Sequence, residues 1–193
     1  IINKPNELLS VPGKKITDSV YSRILKNHPT VTGPVIVHRL DMSTSGIMIV
    51  AKNKDAYKQL QQQFINRTIK KRYVAVLEGN ITKEKGVIKL PLRVDVNDRP
   101  KQLVCFEYGR SAVTYWEVIE TNEKYTRLYL YPVTGRTHQL RVHCAHNNGL
   151  NTPIKGDDLY GLKKDRLYLH AESISFIHPT TNKEMKFSVK PNF

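Results

Sequence analysis

The chain has 193 residues, 39% of them hydrophobic, and 31 Lys and Arg against 17 Asp and Glu give it a net charge of +14. That length suits one domain with a real core, and the composition excludes a disordered, low-complexity chain. The basic surplus favours a polyanion as partner, and the apolar runs fall far short of the ~20 residues a membrane helix needs.

In chain order, Thr17 or Asp18 is placed to cap a helix running through Val20-Tyr21-Ser22-Arg23-Ile24-Leu25. The run Ile47-Met48-Ile49-Val50-Ala51 reads as a buried strand. Residues 55–67 form a second helix, with Tyr57, Leu60, Phe64 and Ile65 recurring at helical spacing. Strands are expected over 72–77, 111–119, 125–131, 166–169, 174–177 and 186–189, all rich in β-formers. A third helix over 138–146 matches the helical pattern only in part. Asp95-Val96-Asn97-Asp98-Arg99-Pro100 has the composition of a turn at the tip of an excursion. Gly156-Asp157-Asp158-Leu159-Tyr160-Gly161 and the charged residues 163–166 read as a surface loop without assigned function. Few helices and many adjoining strands predict an α+β fold with mostly antiparallel pairing. Cys105 and Cys144, in no C-x-x-C pair, read as reduced, buried thiols.

Two segments carry chemistry. His38-Arg39-Leu40-Asp41-Met42-Ser43-Thr44-Ser45-Gly46 sets a carboxylate in a small-residue turn at the mouth of a buried strand, where a rigid element can aim it. An Asp beside an Arg is also the composition of an ordinary surface ion pair. Thr134-Gly135-Arg136-Thr137-His138-Gln139-Leu140-Arg141-Val142-His143 leads a glycine turn into a helix that Thr134 or Thr137 could cap. Arg136 there suits a carboxylate or phosphate partner, or braces the turn. Tyr73 enters a strand behind a basic cluster of Arg67, Lys70, Lys71 and Arg72, which suits phosphate contact. His138, His143 and His146 do not share one helix face and lack the zinc-hydrolase pattern, so no metal is expected. Dinucleotide, P-loop and nucleophile-elbow motifs are missing, and no cofactor is expected.

His-Arg-Leu-Asp-x-x-Thr-Ser-Gly, as it stands at residues 38–46, resembles the signature of the RluA family of RNA pseudouridine synthases. The likeness extends to Asn3-Lys4-Pro5 with Ser10-Val11-Pro12-Gly13, to Lys71-Arg72-Tyr73-Val74-Ala75, to Gly135-Arg136-Thr137-His138-Gln139-Leu140-Arg141, and to Leu169-His170-Ala171 with Phe176-Ile177-His178-Pro179. Asn6-Glu7 departs from it, since the family usually carries Gly before Leu-Leu. The resemblance implies a pseudouridine synthase fold, a bent, mostly antiparallel mixed sheet flanked by helices and loops, with RNA in a basic cleft and Asp41 at its floor. It implies a single catalytic domain over 1–193 without an S4 domain, acting as a cytoplasmic monomer without metal or cofactor. Asp41 takes the place of the essential carboxylate, Arg136 pairs with it and keeps it ionised, and Tyr73 stacks on the flipped base. Leu169 forms the apolar wall of the base pocket. Arg39, His38, Thr44, Arg67, Lys71 and Arg72 are expected on the substrate, joined by Arg99 and Lys101 of the excursion. Arg99-Pro100-Lys101-Gln102 with Val104-Cys105 resembles members with dual specificity, which implies stem-loops of 23S rRNA, of tRNA, or of both as substrates. The alternative is a catalytically inactive RNA-binding protein with the same fold.

Overall fold

The structure, a computed structural model, describes residues 1–31 and 33–193. In chain order its elements are β1 (Ile2–Lys4), α1 (Val20–Asn27), β2 (Ser45–Met48), α2 (Lys54–Ile65), β3 (Lys70–Glu78), β4 (Lys85–Lys89), β5 (Leu92–Val94), β6 (Gln102–Val104), β7 (Val113–Thr121), β8 (Tyr125–Pro132), α3 (Gln139–Ala145), β9 (Leu169–Ile177) and β10 (Glu184–Ser188). The chain divides into two compact units, one of Ile1–Lys71 with Ala171–Asn192 and one of Arg72–His170 with Phe193. The fold is α+β with a mostly antiparallel sheet, as expected.

In the first unit β1 pairs antiparallel with β2, and β10 pairs antiparallel with β9. The core joins Val37, Ile47, Ile49 and Ile69 to Ile174 and Phe176 of β9, and Leu60 of α2 packs into it. Along β10 the alternation is clean: Met185 and Phe187 pack on this core, while Glu184, Lys186 and Ser188 point away. On α2 the apolar face is Ala56, Tyr57, Leu60 and Phe64. Ile65, expected on that face, is 68% exposed because it ends the helix on the opposite side. The first helix is capped by neither Thr17 nor Asp18. Ser19 is the N-cap in a reciprocal box with Ser22, and Asp18 instead forms a two-pronged pair with Arg23.

In the second unit β3, β8, β7 and β4 form consecutive antiparallel pairs. Tyr73, Ala75 and Leu77 of β3 pack with Leu128 and Leu130 of β8, Trp116 of β7 and Leu140 and Cys144 of α3. Helix α3 has six buried residues in seven, so no amphipathic period could mark it in the sequence. Neither Thr134 nor Thr137 caps it; the N-cap is His138, in the left-handed region at φ 52°. Strands β5 and β6 form a separate antiparallel hairpin, and the turn expected at 95–100 is its tip. The runs at 166–169 and 174–177 prove to be parts of one strand start and strand body, β9, with 166–168 outside it. Cys144 is buried, but Cys105 is only half-buried, with its Sγ accepting the Tyr108 N–H.

Candidate active site

Asp41 lies on the loop that enters β2, and that loop is held from three sides within the first unit. Leu40, the residue before it, is gripped by Ser10, whose Oγ accepts the Leu40 N–H at 3.0 Å and donates to the Leu40 carbonyl at 2.7 Å. Met42, the residue after it, offers its carbonyl to Lys4 Nζ at 2.9 Å. Lys4 is almost wholly buried, and its ammonium also donates to the carbonyls of Pro5 and Leu8, both at 2.8 Å. Burial lowers the Lys4 pKa to about 8, against the opposing pull of the Asp41 and Glu7 carboxylates. The Thr44 N–H closes the turn onto the Asp41 carbonyl at 3.1 Å, and Thr44 itself is buried. Just beyond, Gly46 sits at φ 114°, where an added Cβ would lie 2.3 Å from the Ala171 carbonyl oxygen. Only glycine fits that approach of β2 to β9. The Asp41 side chain is half-buried at the surface of this frame.

The Asn6-Glu7 departure is resolved by the backbone. Glu7 adopts φ 58°, the left-handed conformation that a glycine takes most easily.

His38, expected on the substrate, is engaged with the protein interior. Its Nε2 accepts the Ile49 N–H at 2.9 Å, and its ring stacks on Phe64 with centroids 4.6 Å apart. Desolvation, with the Lys71 charge adding to it, pushes its pKa down to about 3, so it is a neutral scaffold group. Lys71 is half-buried and burial lowers it to about 8, unlike the solvated phosphate ligand suggested by its place in a basic run. Arg39 and Arg67 are exposed, and Arg67 adopts φ 58° just past α2.

In the second unit Tyr73 and Leu169 meet one hydrophobic cluster, Leu169 inside it and Tyr73 half-buried at its margin. Arg72 lies with its guanidinium 4.4 Å from the centre of the Tyr129 ring. Arg136 is held at both ends: its Nε donates to the Ser111 carbonyl at 3.1 Å, and its N–H donates to Gln139 Oε1 at 3.0 Å. Gln139, buried, also accepts from Thr134 Oγ1 and donates through Nε2 to the Val113 carbonyl and Thr114 Oγ1. All its amide capacity is spent fixing the turn that carries Arg136. Lys101 is paired with Asp98 at 2.7 Å and Arg99 is exposed, both at the tip of the β5–β6 hairpin. His143 is fully buried, with Nδ1 against Thr114 Oγ1 and Nε2 against the Leu90 carbonyl.

The candidate residues thus fall into two sets. His38, Arg39, Asp41, Thr44, Arg67 and Lys71 belong to the first unit, and Arg72, Tyr73, Arg99, Lys101, Arg136 and Leu169 to the second. Sequence reasoning missed Lys4, Ser10 and Gln139. Each acts by bonding backbone groups; all three lie in segments that match the family, but only Gln139, three residues after Arg136 as in a capping box, stands near its partner in the sequence.

A sequence model described as RNA pseudouridylate synthase matches residues 1–146. The chain belongs to that family, and it is an RNA pseudouridine synthase, an isomerase. Among its relatives, the dual-specificity RNA pseudouridine synthase RluA of Escherichia coli K12 is 42% identical over all of this chain and 89% of its own length. The RluA of Yersinia pestis is also 42% identical, over 95% of its length, and that of Vibrio cholerae is 44% identical over 93% of this chain and 74% of its own. The solved structure of human RNA pseudouridylate synthase domain containing 1 superposes with a TM-score of 0.80 at 28% identity, covering 99% of this chain and 79% of that one.

Proposed function

We propose that this pseudouridine synthase acts on stem-loops of 23S rRNA and tRNA, with Asp41, Tyr73 and Arg136 as its catalytic residues. The observation that carries the catalytic assignment is the frame around Asp41, in which the residues on either side of one carboxylate are tied down by Ser10 and Lys4. A carboxylate held this way loses little freedom on reaching the transition state.

In the reaction the N1–C1′ bond of a uridine breaks, the uracil turns, C5 bonds to C1′ and the C5 proton is lost to N1 or solvent. The target base is first extruded, at a cost of a few kcal/mol, less in a loop. Asp41 starts the sequence by attacking the sugar or by taking a proton from it, and either role needs the ionised form. Arg136, in the matching third motif, is the cationic member of the catalytic set. Tyr73 stacks on the base and its hydroxyl assists loss of the C5 proton, and Leu169 gives the base an apolar backing. Arg39, Arg67, Arg72, Arg99 and Lys101 are the RNA contacts, while the buried Thr44 shapes the Asp41 turn instead of touching RNA, and the enzyme works as a cytoplasmic monomer. The support for this reading is the +14 charge, the matching motifs and the dual-specificity names of the relatives. Among the described residues no helix is long and apolar enough to cross a membrane.

The test is tritium release from a C5-labelled uridine stem-loop. The protein releases tritium, whereas Asp41→Asn, equal in size, loses ~10³-fold or more in rate while binding the same RNA within about twofold. Release by purified, undeamidated Asp41→Asn at the rate of the unaltered protein would overturn the assignment.

A further inference from the structure

The segment 156–161, which the sequence presents as a solvated loop, is instead a junction inside the second unit. Asp157 is fully buried and forms a two-pronged pair with Arg141 of α3, at 2.8 Å from Nε and 2.5 Å from the terminal nitrogen. The same nitrogen reaches Asp158 at 2.9 Å. Asp157 Oδ1 also accepts the N–H groups of Leu159 and Tyr160, at 3.0 and 3.1 Å. A buried carboxylate satisfied in this way sets the turn, and the turn aims Tyr160.

The Tyr160 ring lies 5.4 Å from the Arg141 guanidinium and meets the His138 ring edge-on. Its hydroxyl accepts the Gln102 N–H at 2.7 Å and pairs with His138 Nδ1 at 2.8 Å. Gln102 opens β6 directly after Lys101, and His138 stands two residues after Arg136. One oxygen atom therefore joins the hairpin that bears Arg99 and Lys101 to the turn that bears Arg136.

That hairpin has strands of three residues each, too short to hold a fixed direction by itself. Its base is tied by the mutual bonds of Leu92 and Arg110 and by the packing of Leu92 and Val104 on Ala112 and Val142, and the Cys105 N–H to the Pro91 carbonyl closes its two arms. Tyr160 supplies the tie on the β6 side nearest the tip. We propose that Tyr160 is a positioning residue for RNA selection: its hydroxyl locks the β5–β6 hairpin to the Arg136 turn, so that Arg99 and Lys101 meet RNA in one setting. This rests on the reading of Arg99 and Lys101 as RNA contacts.

Tyr160→Phe tests it, since the ring stays against Arg141 and only the hydroxyl is lost. Hydrogen exchange at the Gln102 amide should quicken by ~5-fold or more, the equivalent of one lost hydrogen bond. For the stem-loop KM should rise ~5-fold, with a smaller change in kcat. In an Arg99→Ala/Lys101→Ala background the added rise in KM should vanish, because the hairpin then presents nothing to RNA. A residue that only stabilised the fold would lower Tm and leave KM alone. That result, or the same KM increment in both backgrounds, overturns the proposal. Should the unaltered protein turn over no stem-loop, the substrate reading fails separately, and unchanged exchange at Gln102 overturns the lock.

Discussion

The Asp41 loop shows how much can depend on one residue distant in the chain. Lys4 places an ammonium in an almost fully buried site and spends its three protons on three carbonyls, that of Met42 among them. Such a group is costly to desolvate, which its lowered pKa reflects, and the hydrogen bonds together with the nearby Asp41 charge offset that cost. Lys4→Met fills the space but leaves those carbonyls without a donor. The expected result is a loss of about 2–3 kcal/mol of stability, read by urea unfolding. A fall in kcat of ~10-fold should accompany it, larger than the change in KM, because Asp41 loses one of its anchors. Unchanged kcat in the folded variant would show that Ser10 and the Thr44 turn are sufficient.

At the scale of the element, β2 is short and its behaviour turns on one glycine. Ser45 through Met48 are all buried, and Gly46 faces Ala171 of β9 at a separation that admits no side chain. The collision is with backbone, so no rotamer change can relieve it, and φ 114° is strained for any L-residue. Gly46→Ala should therefore cost about 4 kcal/mol or more and displace the Asp41 loop along with the strand. Thermal unfolding checks the first expectation. A variant with unaltered Tm would mean that β2 and β9 separate there more easily than the packing implies. Helix α1 shows the opposite case, since its Ser19–Ser22 box is wholly local and sits at the start of the helix expected there.

For the whole molecule, charge and buried imidazoles set the response to solution conditions. Burial lowers the pKa of His143 to about 4 and that of His38 to about 3, while in the unfolded chain both titrate near 6.5. Between pH 6.5 and 4 the unfolded chain therefore binds protons that the folded chain refuses, and stability falls as pH falls. Each such proton contributes a slope of up to about 1.4 kcal/mol per pH unit. His143→Gln, which keeps a donor and an acceptor, should flatten the dependence of unfolding free energy on pH in that window; an unchanged slope would mean His143 takes up its proton while folded. The +14 charge predicts steep salt dependence of RNA binding, with log K falling by roughly 0.7–0.9 per phosphate contact for each tenfold rise in salt. Replacing Arg99 by Ala should reduce that slope by about one contact, measured by titration at several salt concentrations.

The family, the α+β class and the approximate placement of α2, β3, β7 and β8 were legible in the sequence, because motif residues and hydrophobic periodicity are local properties. Asp41, Tyr73, Arg136 and Leu169 stood out for the same reason, each inside a contiguous motif. What the sequence could not display was any partner distant in the chain. Lys4 and Met42, Ser10 and Leu40, Arg141 and Asp157, and Tyr160 and Gln102 meet only because the backbone brings them together. Helix α3 was legible only in part and the burial of Asp157 was misread, because burial on every side erases periodicity and a charged loop residue looks solvated until its cation is located. The motifs are thus contiguous in the sequence, whereas the support of the Asp41 loop comes from hydrogen bonds between residues some thirty to forty positions apart, which only the tertiary structure decides.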